Sequence, residues 1–153
     1  MKTAIAAVAL AVAASVVAPV VATAQGTDPK GKAAFVGPIH VGGKKATLSV
    51  TYQCASGQNV WVSAKELASG ASSPKLAKEG SSKTAAAWWE SHRNTFVCNG
   101  KPHTAAFTID KVEKGSKGTL VPGKAWVQFC VTKGTTEANT KLILSKSGWV
   151  AVV

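Results

Sequence analysis

What this chain lacks narrows its reading first. Only Arg93 is arginine among 18 basic residues; the rest are lysines, scattered along the chain, with only Lys44 and Lys45 adjacent. Lysine is a hydrated point charge, whereas arginine supplies the planar fork that reads phosphates and base edges. Sequence-specific nucleic-acid binding is therefore not expected. Acidic residues number seven, mostly in polar stretches, and nothing singles out a carboxylate pair of the glycosidase type. His40, His92 and His103 are far apart, and neither an H-x₃₋₅-H nor a C-x₂-C spacing occurs, so no metal site is expected. No G-x-S-x-G elbow anchors a serine triad. The chain is expected to be no enzyme and to carry no cofactor.

Long hydrophobic runs are equally scarce. The one present is the Ala/Val-rich stretch of residues 4 to 21, behind the positive start Met1-Lys2-Thr3 and ahead of Ala22-Thr23-Ala24. This is the pattern of a signal peptide with an A-x-A cleavage site. Pro19 and the small-residue exit favour cleavage over a membrane anchor, and no cysteine follows to carry a lipid. Residues 1–24 are read as signal peptide and 25–153 as a single domain, secreted and extracellular, with no membrane span after cleavage. Removing 24 of the 153 residues leaves 129, enough for one domain with a real core. Of the charged residues only Lys2 is lost, so the net charge falls from +11 to +10. Such charge suits either a solvated, soluble surface or weak attraction to an anionic envelope polymer.

A long helical pattern is also missing. Short strands replace it. In Ala46 to Cys54, Ala46, Leu48, Val50, Tyr52 and Cys54 alternate with polar residues, the period of a half-buried strand. Asn59 to Glu66 follows, with Val60, Val62 and Ala64 on one face. An earlier strand is predicted at Ala34 to Val41, and Pro38 within it suggests an edge. Leu67 to Lys83 is the longest loop and the segment expected to be most mobile. Thr84 to Arg93 fits a short helix or a strand. Asn94 to Cys98 reads as a strand turned by Asn99-Gly100 in type I′ geometry into His103 to Lys111. Val121 to Lys124 forms a turn into Ala125 to Thr132, where Ala125, Val127, Phe129 and Val131 share a face. Thr140 to Ser145 and Gly148 to Val153 are expected to form a terminal hairpin. Seven or eight strands so spaced predict an antiparallel, immunoglobulin-like β-sandwich, with a closed β-barrel as the alternative.

Cysteine is present in an odd number: Cys54, Cys98 and Cys130. Cys54 lies in the apolar phase of its strand and Cys98 shares a phase with Phe96. Cys130 runs with Gln128 and Thr132, out of phase with the apolar residues around it. The expected disulfide is Cys54–Cys98, worth about 4 kcal/mol for a loop of roughly 45 residues on the chain-entropy model. Cys130 is then a free thiol, either tucked under a neighbouring loop or exposed. The protein is expected to be a monomer, or a dimer if Cys130 is exposed.

The segment Thr51-Tyr52-Gln53-Cys54, then Gly57, Val60-x-Val62 and Val97-Cys98-Asn99-Gly100, resembles a family of small secreted actinobacterial domains of unknown function. Gly123-Lys124-Ala125 is similar to that family's later strand entry. The resemblance implies an immunoglobulin-like sandwich and matches Cys54 and Cys98 to the family's two half-cystines. It brings no activity, and it departs at Cys130 and at Trp88-Trp89.

All five tryptophans follow residue 24. Trp61 and Trp126 fall on the non-core phase of their strands, and Trp88 and Trp89 cannot share a strand face. Trp61, Trp88, Trp89 and Trp126 are thus the candidate binding surface, open to sugar rings or peptides, or else satellite core under the long loop. The expected function is a non-enzymatic binding protein acting at or outside the cell envelope, its partner an anionic envelope polymer, a carbohydrate or a protein. The alternatives are a secreted effector or protein inhibitor, and a small-ligand carrier.

Overall fold

The computed structural model describes residues 32–110, 115–134 and 136–153. The leader and the cleavage site predicted within residues 1–24 lie outside them. The described chain is all-β. Its seven strands close into a barrel in the order β1-β2-β5-β4-β3-β6-β7, where β1 is Lys32–Gly42, β2 Lys45–Gln53, β3 Asn59–Glu66, β4 Ala87–Arg93, β5 Pro102–Asp110, β6 Gly123–Lys133 and β7 Lys141–Val152. Of the two architectures expected, the closed barrel is the one adopted. All neighbours run antiparallel except β1 and β7, which close the ring in parallel at Ile39 and Val152. The last residue joins this seam: Val153 N–H donates to Ile39 O (2.9 Å) and Val41 N–H donates to Val153 O (3.0 Å).

Alternation along each strand sends one set of side chains inward. Ala46, Leu48, Val50 and Tyr52 of β2 are buried, as are Val60, Val62 and Ala64 of β3 and Ala125, Val127, Phe129 and Val131 of β6. Three rings from different parts of the wall meet in the middle. Tyr52 lies 5.8 Å from both Phe107 and Phe129, and those two are 5.1 Å apart at 64°. Edge-to-face contacts of this kind favour ring quadrupoles, and they fill the lumen with side chains.

Several strand boundaries differ from expectation for identifiable reasons. Pro38 does not mark a free edge, because β1 pairs with both β2 and β7. The proline sits where the β1–β2 register shifts between Val36 and His40, beside Gly37 at φ 71°, and a bulge tolerates its missing N–H. The 84–93 segment resolves as strand, since its Ala87–Arg93 portion completes the ladder beside β3. Asn94 to Cys98 is not a strand, because β5 pairs along its whole length with β2 instead. The Asn99-Gly100 turn is not type I′ either: among the described residues only glycines have positive φ, Gly100 at 82°. Asn99 instead accepts the Lys101 N–H through Oδ1 (3.1 Å). The predicted terminal hairpin is one continuous strand, β7, paired with β6 from end to end. A long partner already in place gives those backbone groups more hydrogen bonds than a local turn would.

Cys54 and Cys98 form the expected disulfide, with Cα atoms 5.0 Å apart and a sequence separation of 44. It fastens the 94–101 connection to the end of β2. Gly100 N–H donates to Cys54 O (2.7 Å) and Gln53 Nε2 donates to Gly100 O (2.7 Å) beside it.

The wall is thinnest between β4 and β5, which share a single paired position, Glu90 and Asp110. Side chains bridge the gap: Ser91 Oγ donates to Thr108 O, and Arg93 donates to Ala106 O (3.2 Å) while lying 5.4 Å over the Phe107 ring. The one arginine of the chain is thus spent on closing the barrel.

Candidate functional site: the outer face of β4-β3-β6-β7

Residues directly opposite in a ladder share a face, so the registers give the outer surface row by row. The first row is Trp88, Lys65, Trp126 and Trp149; the second is Glu90, Ser63, Gln128 and Ser147; the third is His92, Trp61, Cys130 and Ser145. Three of the four tryptophans expected at a binding surface, Trp61, Trp88 and Trp126, lie here. Each is half-buried. Trp89 does not join them: it is 0% exposed, inside the barrel, with Nε1 donating to Gly118 O (3.2 Å). Neighbouring tryptophans on one strand must part in this way.

Trp149 does join them, half-buried, its ring 5.3 Å from that of Trp126 at 68°. The expected hairpin hid it, because breaking β7 at residues 146–148 destroys the phase that puts Trp149 opposite Trp126. The run Ser145-x-Ser147-x-Trp149 is the signal that carries it.

This outer face is unusually buried for a polar one. Ser63 is 0%, Lys65 6% and Glu90 9% exposed. Part of the cover is the long loop. It forms two short 3-10 turns, Pro74–Ala77 and Ser81–Lys83, and buries Leu76. Lys65, flanked on both sides by tryptophans, donates from Nζ to Ser81 Oγ (3.0 Å), and Ser81 Oγ donates on to Leu76 O (2.7 Å). Burial pushes the Lys65 ammonium below its ordinary pKa. The segment predicted to be most mobile is therefore latched to the wall by a buried lysine. The loop is latched to the Lys65 row, while Trp61 lies two rows away.

Hydrogen bonding on this face is incomplete. Trp61 Nε1 donates to Glu90 Oε2 (2.8 Å). Ser63 Oγ, Trp88 Nε1 and Trp126 Nε1 are buried and make no hydrogen bond among the described residues. Buried polar atoms are nearly always paired, so three unpaired ones on three adjacent strands stand out.

Cys130 is a half-buried free thiol on the same face, with Sγ 3.6 Å from Ser145 Oγ. Burial raises its pKa, and the Ser145 contact opposes this only in part. Among the described residues no group of three or more His, Cys, Asp or Glu is placed to hold a metal ion. No helix among them is long and apolar enough to cross a membrane.

Comparison of the chain with protein-family models, with curated proteins and with solved structures found no match.

Proposed function

We propose that this protein is exported and acts at or outside the cell envelope as a non-enzymatic binding protein. Its contact surface is the tryptophan-bearing outer face, and its first candidate ligand is a carbohydrate. The observation that carries this reading is the gathering of four half-buried indoles, Trp61, Trp88, Trp126 and Trp149, on one face, with Trp61 two rows from the point where the loop is latched. Indoles offer flat apolar area together with an N–H donor, a combination that suits a ring with hydroxyls around its rim. Gln128, half-buried in the row between the tryptophan rows, can accept from and donate to such hydroxyls. Kinship with small secreted domains, suggested by the Thr51 to Cys54 and Val97 to Gly100 motifs, is part of this proposal.

Of the other readings, a small-ligand carrier is disfavoured by the Tyr52, Phe107 and Phe129 rings that fill the lumen. A protein inhibitor acting through the 67–83 loop is disfavoured by the anchoring of that loop on Leu76 and Ser81. The test is retention of the purified protein on insoluble polysaccharides and envelope preparations, with indole fluorescence as a second readout. Retention that Trp61→Ala abolishes, with folding intact, is the expected result. Retention untouched by both Trp61→Ala and Trp126→Ala would remove this face from consideration.

A further inference from the structure

The connection between β6 and β7 carries a feature that the tryptophan face does not use. Lys133 and Lys141 are direct partners across the β6–β7 ladder, so both side chains leave the same face. Like charges in that position repel and cost stability. Neither ammonium has an ion-pair partner among the described residues. Both are exposed, and with Gln58, Gly134 and Asn139 they line a cleft of about 410 Å³.

The neutral groups of this cleft are turned to match. Gln58 Oε1 accepts the Gly134 N–H (2.7 Å) and Asn139 Oδ1 accepts the Thr136 N–H (2.9 Å). Asn59 Nδ2 takes up the Gly134 carbonyl (3.2 Å). Acceptor oxygens are thus consumed by the loop backbone, which leaves the Nε2 end of Gln58 as a donor toward the cleft. Two cations and an amide donor converge, on a chain of net charge +11.

From this we propose an oxyanion site at the end of the barrel, formed by Lys133, Lys141 and Gln58, that takes a phosphate group. Lysine binds phosphate as a point charge without the planar fork of arginine. The site therefore selects charge and size over a particular ester geometry. At more than ten times the ~30 Å³ that a water occupies, the cleft accommodates a phosphate together with what it is attached to. A bound dianion also relieves the Lys133–Lys141 repulsion, which explains why the pair is tolerated. The site stands whether or not the tryptophan face binds a sugar.

The experiment is a titration of the purified protein at low salt, with inorganic phosphate and separately with tripolyphosphate, followed by NMR and by thermal melting. Amide shifts at Lys133, Gly134 and Lys141 and at the Gln58 side-chain amide are expected. The double variant K133Q/K141Q should bind at least about tenfold more weakly, while K44Q/K45Q, with the same charge change elsewhere, should bind as wild type does. Without ligand, K133Q/K141Q should melt no lower than wild type. Tighter binding of tripolyphosphate than of inorganic phosphate assigns the site to a polymer-borne phosphate; equal binding assigns it to the free anion. Equal weakening in both double variants, or no shift at the cleft residues, overturns the proposal, since either leaves only diffuse attraction to a basic surface.

Discussion

The two faces of β3 and β6 are built from the same backbone and lead to opposite chemistry. Inside, Val60, Val62, Ala64, Val127 and Phe129 pack with no polar atom to satisfy. Outside, Trp61, Ser63, Lys65, Trp126 and Gln128 are pressed into partial or complete burial with their polar atoms only partly paired. An apolar face needs nothing but volume. A buried polar face must account for every donor and acceptor, and this one does not. Stability should therefore reside inside and function outside, and substitutions on each face can separate the two.

The largest effect is expected inside. Phe129 is fully buried and contacts both Tyr52 and Phe107. Phe129→Ala should cost about 3–5 kcal/mol by loss of buried area plus a cavity, measured by denaturant unfolding. Trp61→Ala on the outer face should cost clearly less while removing ligand retention. If the two losses of stability were equal, the contrast between the faces would fail, and Trp61 would be ordinary core.

Lys65 sharpens the comparison. Lys65→Ala strips the stem from between Trp88 and Trp126 and leaves Ser81 Oγ without its donor, at an expected cost of about 1–3 kcal/mol. Lys65→Met keeps the stem and removes the buried charge together with the Ser81 contact, so it should cost less than Lys65→Ala. Because the folded pKa is lowered, folding favours the neutral amine. Wild type therefore gains stability as pH rises from the lowered value toward the ordinary 10.5, and Lys65→Met does not. Parallel pH profiles for the two proteins would show that Lys65 is solvated and that the loop is not latched through it.

How much of this was legible in the chain follows the same division. The inner face announces itself through period two: β2, β3 and β6 and the pairing of Cys54 with Cys98 can be read from phase alone. The outer face cannot be read that way, because its composition comes from strands distant in sequence. Lys65 looks like any surface lysine until Trp88 and Trp126 close on it from both sides. Trp149 was hidden by Lys146-Ser147-Gly148, three residues that favour a turn but were overruled by the length of β6. The Asn99-Gly100 pair failed in the same way, since local turn preference yields when the flanking backbone is already paired elsewhere. The Lys133–Lys141 pair needs the β6–β7 register, which no single strand contains.

Glu66 tests the boundary between the faces at the end of β3. It is fully buried in the inner phase, with Oε2 accepting the Val121 N–H (2.8 Å) and Oε1 unpaired among the described residues. Burial raises its pKa above the ordinary 4.5, and the Val121 hydrogen bond opposes this more weakly. Folding thus favours the protonated acid. The associated stability is complete below 4.5 and is lost as pH rises through the raised value. Glu66→Gln should match wild type in acid and exceed it progressively as pH increases, as read from melting temperatures. A gap that is constant or reversed would mean that Glu66 is held as a carboxylate by its hydrogen bond.

The smallest effect belongs to Cys130. Its side chain is half-buried beside Ser145, so Cys130→Ser should change stability by less than about 1 kcal/mol. Its chemistry is the sharper probe. The thiolate is the reactive form, and burial holds the thiol above its ordinary pKa of 9.0. Labelling of the folded, non-reduced protein should therefore be slow at neutral pH, accelerate about tenfold per pH unit until beyond that value, and reach one thiol per chain. Denaturation should remove the delay without adding a second thiol, because Cys54 and Cys98 are joined. Fast labelling at neutral pH, or a disulfide-linked dimer on standing in air, would place the third row of the outer face in solvent. The burial gradient from the Lys65 row to the Trp61 row would then be steeper than the half-buried Trp61 implies. A slow thiol extends the protected part of the face as far as the Trp61 row and leaves the indole itself as the accessible element.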